Sequence, residues 1–459
     1  MRRLLAALLL LPVLAVPSRA AEPRAVPRAH CDARSLPETG LQGQVPLRDR
    51  ESGRSRQGYR CNLELLGQAQ GWGSSYISPS SGSCAYLSQV MTAAASAHPG
   101  VQVVDAHDPR HPRITASLTS PAMDGDTWES LKTNDRRHLL GGVLVGPIEG
   151  PAFFDLYDIR DCAHPKLLNS VSTTSLSLPA NAIGHEGGFS PDGRTYWSTG
   201  GAPGVITAID VADPRHPRVL FAGFMGVVNH GFSLSDDGRT LYLATIEPHG
   251  LTIMDVSGIQ DRDPTKLPRQ IGSITFADGS NGQHSIPVTW HGRPYLVYVD
   301  ELQQGGVRIL DLRDPAHPVQ IAHLQLEIQL PSAAAKRSQD SSLSPQQVFH
   351  YDAHYCAVDR PRDPTRLACG EFNSGVRVFD VRDPRHVREI AYFNPPARVG
   401  EQARLTGSGH AQGGTSGEPG GPLADLTADW CSSPPRFVGR DQLWVTCQDN
   451  GFLALRFTA

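Results

Sequence analysis

Several absences narrow the possibilities before any recurring motif is read. Basic charge is not in excess: 42 Lys and Arg against 46 Asp and Glu leave a net charge of -4, so the electrostatic footprint of a nucleic-acid binder is missing. After the first 16 residues no apolar run approaches the roughly 18 residues of a membrane-spanning helix. There is no Cys-x-x-Cys pair and no Gly-x-Ser-x-Gly, and the glycine-rich GTSGEPGG (414–421) has no phosphate-loop lysine. These gaps exclude a thiol redox motif, a zinc ribbon, a hydrolase nucleophile elbow and a nucleotide cradle. Heptads and long helical periodicities are also missing. Turn formers are plentiful, with 45 Gly and 37 Pro in 459 residues. At 39% hydrophobic and 19% charged, the chain is too apolar to be disordered and too turn-rich to be helical.

The amino terminus carries an address. Arg2 and Arg3 precede the apolar run from Leu4 to Val16, and Ser18-Arg19-Ala20 closes it with small residues. That order predicts a cleaved signal peptide over 1–20 and a secreted or periplasmic protein. All eight cysteines (31, 61, 84, 162, 356, 369, 431 and 447) lie beyond it, where export permits disulfides. Residues 21–57 mix Pro, Gly and Arg without periodicity and read as an extended arm.

One phrase then recurs: an apolar strand, an Asp, an Asp-Pro and a second Pro. It appears as VQVVDAHDPRHP (101–112), FDLYDIRDCAHP (154–165), ITAIDVADPRHP (206–217), LTIMDVSGIQDRDP (251–264), VRILDLRDPAHP (307–318) and VRVFDVRDPRHV (376–387). The strand-ending residues are Asp105, Asp158, Asp210, Asp255, Asp311 and Asp380, most of them 45–56 residues apart. That is the size of a four-stranded propeller blade. Two alternating strands with an Asp-Gly turn precede the phrase, as in GGFSPDGRTYWST (187–199), and a further strand follows it. The phrase is therefore strand c and the c–d turn of a blade whose strands run a to d from the inside outward. A seventh blade, RFVGRDQLWVTCQDNGFLALRFTA (436–459), stops after strand c, and YRCNLELLGQA (59–69) can supply its outer strand. The expected architecture is all-β: a seven-bladed β-propeller over 58–459, closed by an N-terminal strand that completes the C-terminal blade. On these motifs the chain resembles bacterial secreted proteins with LVIVD repeats. The resemblance implies the propeller and no particular activity. Blade 4 departs from it with the inserted Gly258-Ile259-Gln260-Asp261, and blade 7 has Arg456 in place of the Asp.

The chemistry lies in a column of histidines locked to the repeat. His185, His230, His284 and His354 precede their blades' strand-c Asp by 25, 25, 27 and 26 residues, so they share one slot where the innermost strand begins. Asp429 holds it in blade 7, and blade 2 offers Trp128 or Thr133. Four imidazoles and a carboxylate around a channel mouth could hold Cu, Fe or Zn. A repeat also duplicates its packing residues, so the column reads alternatively as structural. Glu186 adjoins the slot, and the b–c loops of the same face carry Glu247, His249, Glu301 and Glu371. Two long insertions, about 329–347 and 397–427, also lie there, and loops over a rigid channel mouth commonly carry function. On the opposite face, His111, His164, His216, His317 and His386 sit in Pro-flanked turns and read as turn residues, as do the repeated aspartates.

Three functions follow. The first is a propeller binding a small molecule or an extracytoplasmic protein partner at its loop-rich mouth. The second is a metal-dependent oxidoreductase using the four histidines, and the third is a metal-free hydrolase or lactonase. A monomer is expected. Disulfides are predicted for Cys356–Cys369 and Cys431–Cys447, which flank equivalent a–b hairpins. The other four cysteines allow three pairings, of which Cys31–Cys61 is favoured because the arm needs an anchor.

Overall fold

The computed structural model describes residues 23–90, 98–144, 153–169, 185–200, 204–279, 281–301, 305–337, 349–412 and 428–458. The expected signal peptide lies outside them, as do parts of both long insertions.

Seven antiparallel sheets succeed one another along the chain, each hydrogen-bonded in the order a-b-c-d. Blades 1 to 6 occupy 80–118, 132–167, 186–224, 228–275, 281–324 and 355–394, and blade 7 contributes three strands from 436–457. The buried side chains divide into clusters that each join two neighbouring blades. Tyr86 and Leu140 link blades 1 and 2, Phe154 and Tyr196 link 2 and 3, and Trp197 and Phe232 link 3 and 4. Leu251 and Leu296 link 4 and 5, Val299 and Leu367 link 5 and 6, and Val378 and Leu443 link 6 and 7. A further cluster, with Leu87 and Phe452, joins blade 7 back to blade 1. Seven interfaces for seven blades make a closed ring.

Closure uses the chain's beginning. Strand β1 (Tyr59–Cys61) pairs with strand d of blade 6 as a fifth strand, which the sequence did not announce. Strand β2 (Leu63–Ala69) pairs with Gly451–Phe457 as the outer strand of blade 7, as expected. Asn62 turns the chain between them with a φ of 56°. The arm runs along blades 5 and 6: Val26 N–H bonds the Gln325 carbonyl at 3.0 Å, and Glu389 N–H the Pro27 carbonyl at 3.0 Å. Buried Glu38 pairs with buried Arg377, which also meets Glu389 Oε1 at 3.0 Å. A short helix, Leu47–Glu51, interrupts the extended course.

The repeated phrase forms the turn its residues predict. In all six copies the strand-c Asp accepts the N–H two residues on, from 2.9 Å at Asp105 to 3.2 Å at Asp380. The turn histidines point their Nδ1 at an Asp three residues earlier, at 2.8–3.2 Å, and are exposed. All eight cysteines are paired: Cys31–Cys61, Cys84–Cys162, Cys356–Cys369 and Cys431–Cys447. The second bridge joins strand b of blade 1 to the c–d turn of blade 2. Among the described residues no helix is long and apolar enough to cross a membrane.

Candidate metal-binding hub

The slot residues stand where the innermost strands begin. His185 and His354 directly precede strands a of blades 3 and 6, Glu186–Phe189 and Tyr355–Val358. His230 and His284 lie within Val228–Leu234 and Asn281–Trp290 of blades 4 and 5. Crowding dictates the glycine beside His230: a Cβ on Gly231 would stand 2.1 Å from the Gln283 carbonyl oxygen.

Blade 2 contributes a residue that phase counting misses. Asp126 Oδ1 accepts the Trp128 N–H at 2.7 Å, and Trp128 takes a left-handed φ of 45°, a conformation costly for a bulky residue. The turn delivers Glu129 to the hub, its N–H bonding the His185 carbonyl at 3.1 Å. Glu129 Oε2 lies 3.5 Å from His185 Nε2 and 3.9 Å from His230 Nε2, and the two imidazole nitrogens are 2.6 Å apart. A triangle with sides 2.6, 3.5 and 3.9 Å has a circumscribed radius of about 2.0 Å, matching metal bonds of about 2.0–2.2 Å to imidazole or carboxylate. One point is therefore within bonding distance of three donors from three blades.

His354 stands behind this trio. Its Nδ1 meets the Ser432 carbonyl at 2.9 Å and so carries a proton, and its Nε2 meets Glu129 Oε1 at 2.7 Å. A proton shared along the second contact ties the imidazole to Oε1 and turns Oε2 towards His185 and His230. Gln283 Nε2 donates to Oε2 at 2.7 Å, and the Tyr355 hydroxyl at 3.4 Å. Burial would raise the Glu129 carboxyl, but His354 and His185 hold it well below the usual carboxylate range. Burial and neighbouring His185 push the His230 imidazole down to about 3, leaving a neutral ring with a lone pair to offer. Glu301 Oε1, Glu186 Oε2, Gln283 Oε1 and the Tyr76 hydroxyl, all near this hub, are buried without a hydrogen-bond partner. Such groups are normally satisfied, so these valences suit a bound group.

The other candidates fall in different places. His284 packs against Tyr355, ring centroids 4.5 Å apart, and is not one of the converging donors. Glu301 lies 3.4 Å from His354 Nε2 and 3.7 Å from His230 Nδ1, at the edge of the hub. Glu186 accepts from Lys132 Nζ at 2.8 Å and is pushed up to about 8, chiefly by burial. His249 is held between the Phe276 carbonyl and Asp300. Glu371 accepts from Gln329 at 2.9 Å, and Glu247 is exposed at the end of strand b in blade 4. Asp429 belongs to a separate buried group with His410 and Asp449. Its oxygens accept the Trp430, Asp449 and Asn450 N–H groups and Asn450 Nδ2 at 2.7–3.0 Å, so they serve the blade 7 loop. His410, which pairs with Asp449 at 3.0 Å, comes from a non-repetitive insertion and gave no periodic signal.

The hub is defined by its own geometry, because no family model and no curated protein matches the chain. Solved structures similar to it include a functionally unknown protein from Desulfotomaculum acetoxidans, at 10% identity and TM-score 0.47, covering 70% of this chain and 86% of that one. Hydrazine synthase from Kuenenia stuttgartiensis is similar at 14% identity and TM-score 0.49, covering 86% and 97%. A periplasmic gluconolactonase from Pseudomonas aeruginosa is similar at 13% and 0.47, covering 80% and 93%.

Proposed function

We propose that this is an extracytoplasmic propeller, of the LVIVD-repeat kind its sequence resembles, whose hub holds one divalent transition metal for a small-molecule ligand. His185 Nε2, His230 Nε2 and Glu129 Oε2 are the ligands. The observation that carries the reading is their common point at about 2.0 Å, the length of a metal–ligand bond. Two imidazoles and one carboxylate suit iron, copper or zinc and leave coordination positions open. A bound metal would supply Lewis-acid or one-electron chemistry, and an oxidoreductase is the activity this open donor set favours. The chain's own residues do the rest. His354, anchored on the Ser432 carbonyl, orients Glu129, and Gln283 shares the load on Oε2. The His185 side chain is 19% exposed against 6% for His230 and 2% for Glu129, so a ligand approaches from the His185 side, beside the Trp128 ring 5.3 Å away.

Metal analysis of the mature protein purified from periplasm tests this. Near-stoichiometric iron or copper is expected, lost in the H185A/H230A double variant and kept in His284→Phe. Zinc alone would redirect the chemistry to hydrolysis. A folded protein that neither carries nor takes up any of the three overturns the site.

A further inference from the structure

We propose a second binding site, on the outer rim and independent of the hub, for a single-chain anionic amphiphile with a carboxylate head. Where β1 passes into β2, the outer edges of blades 6 and 7 flank a cleft of about 670 Å³, within the range of roughly 300–1,000 Å³ typical of small-molecule sites. Leu65, which is 45% exposed, and half-buried Phe393 give it apolar walls, over a floor of the buried Leu63 and Leu453.

The charge around these walls is one-sided. Arg34, Arg60 and Arg398 line the cleft against a single carboxylate, Glu64. Glu64 is already engaged by Arg456 across the β2 ladder. Arg398 donates to neutral acceptors, Asn450 Oδ1 at 3.0 Å and Gln68 Oε1 at 3.2 Å. Arg34 donates to the Thr458 carbonyl at 2.7 Å, with Asp32 at 3.5 Å. Among the described residues the Arg60 guanidinium has no ion-pair partner. A carboxylate head would satisfy Arg60 and Arg398 with charge-assisted hydrogen bonds, and its chain would cover the exposed leucine. A purely acidic peptide would leave the apolar walls wet, and a neutral lipid would leave the guanidinium groups unanswered.

The test is calorimetric titration of the mature protein with dodecanoate, with dodecyltrimethylammonium and hexaglutamate in parallel. Saturable binding of dodecanoate is expected, weakened about tenfold or more in Arg60→Glu through the lost charge-assisted contact and likewise weakened in Leu65→Glu. Leu65 is exposed and Arg60 half-buried, and circular dichroism verifies that both variants fold. Metal content is expected to be unchanged in either, which separates this site from the hub. No dodecanoate binding, equal binding of the cationic amphiphile, an affinity for dodecanoate unchanged from the unsubstituted protein in either variant, or binding of hexaglutamate alone overturns the proposal.

Discussion

Glu129 and His354 divide one task at the hub: the carboxylate faces the His185 and His230 imidazoles, and the third imidazole decides which way it faces. Glu129→Gln replaces one acceptor oxygen by a donor amide that repels the Lewis acid. Metal retention should fail outright in that variant, measured by competition with a chelator. His354→Phe removes only the orienting contact, and affinity is expected to fall about 10–100-fold, as for other partners of metal ligands. A second residue-level prediction concerns pH. Burial, with Lys132 nearby, pushes His284 down to about 3, and burial with Arg308 pushes His323 down to about 4. The unfolded chain binds a proton at each near pH 6.5, about the free imidazole value, and the folded protein does not. Stability from these two is therefore complete above about pH 6.5 and declines as the pH falls towards 4. Unfolding free energies from urea titrations at pH 7 and 5 should differ by an amount on the order of 2 kcal/mol per site, and His323→Phe should flatten its share. Three of the four clustered hub residues were legible because a repeat keeps its phase. Glu129 was not, because it lies 29 residues before Asp158 rather than 25–27, and its acid type breaks the histidine pattern. His284 has the right phase, yet its ring turns to Tyr355: side-chain direction is set by local packing that a spacing does not encode.

At the scale of the element, the repeated phrase is a strand and its stop signal in one. Asp311 accepts both the N–H and the Nε of Arg313, at 3.0 and 3.1 Å. Asp311→Ala should cost about 1–3 kcal/mol for the lost hydrogen bonds to a charged acceptor, read by denaturant unfolding, with metal content untouched. The hairpin bridges act differently. Cys356 lies opposite Cys369 in blade 6, and the His354 N–H bonds the carbonyl of Gly370 beside it, at 2.9 Å. The His354 ring is anchored on Ser432, next to Cys431. A C356A/C369A variant should lose about 2–4 kcal/mol and also bind metal more weakly, since the backbone that holds His354 is loosened. The hairpins themselves were readable from Asp-Gly turns and alternation. The fifth strand of blade 6 was not, because three residues of pairing leave no periodicity to detect.

The whole molecule is a ring whose ends are its seam. Deleting residues 1–70 removes β1, β2 and the buried Glu38–Arg377 pair together, leaving blade 7 with three strands and an open edge. Such a chain should aggregate or unfold well below the intact protein, as seen by gel filtration and thermal melts, whereas removal of the first 20 residues should leave the melt unchanged. The seam also sets a schedule. Glu64 and its partner Arg456 are 392 positions apart, and at about 5–20 residues per second a ribosome needs roughly 20–80 s to make that stretch. β1 can pair once Arg388–Asn394 of blade 6 is made, but β2 waits throughout that time with nothing to pair to, so blade 7 cannot form until synthesis is nearly over. A chaperone that shields the waiting edge therefore has its longest opportunity on the segment that ends with β2, long before the strand that will cover it exists.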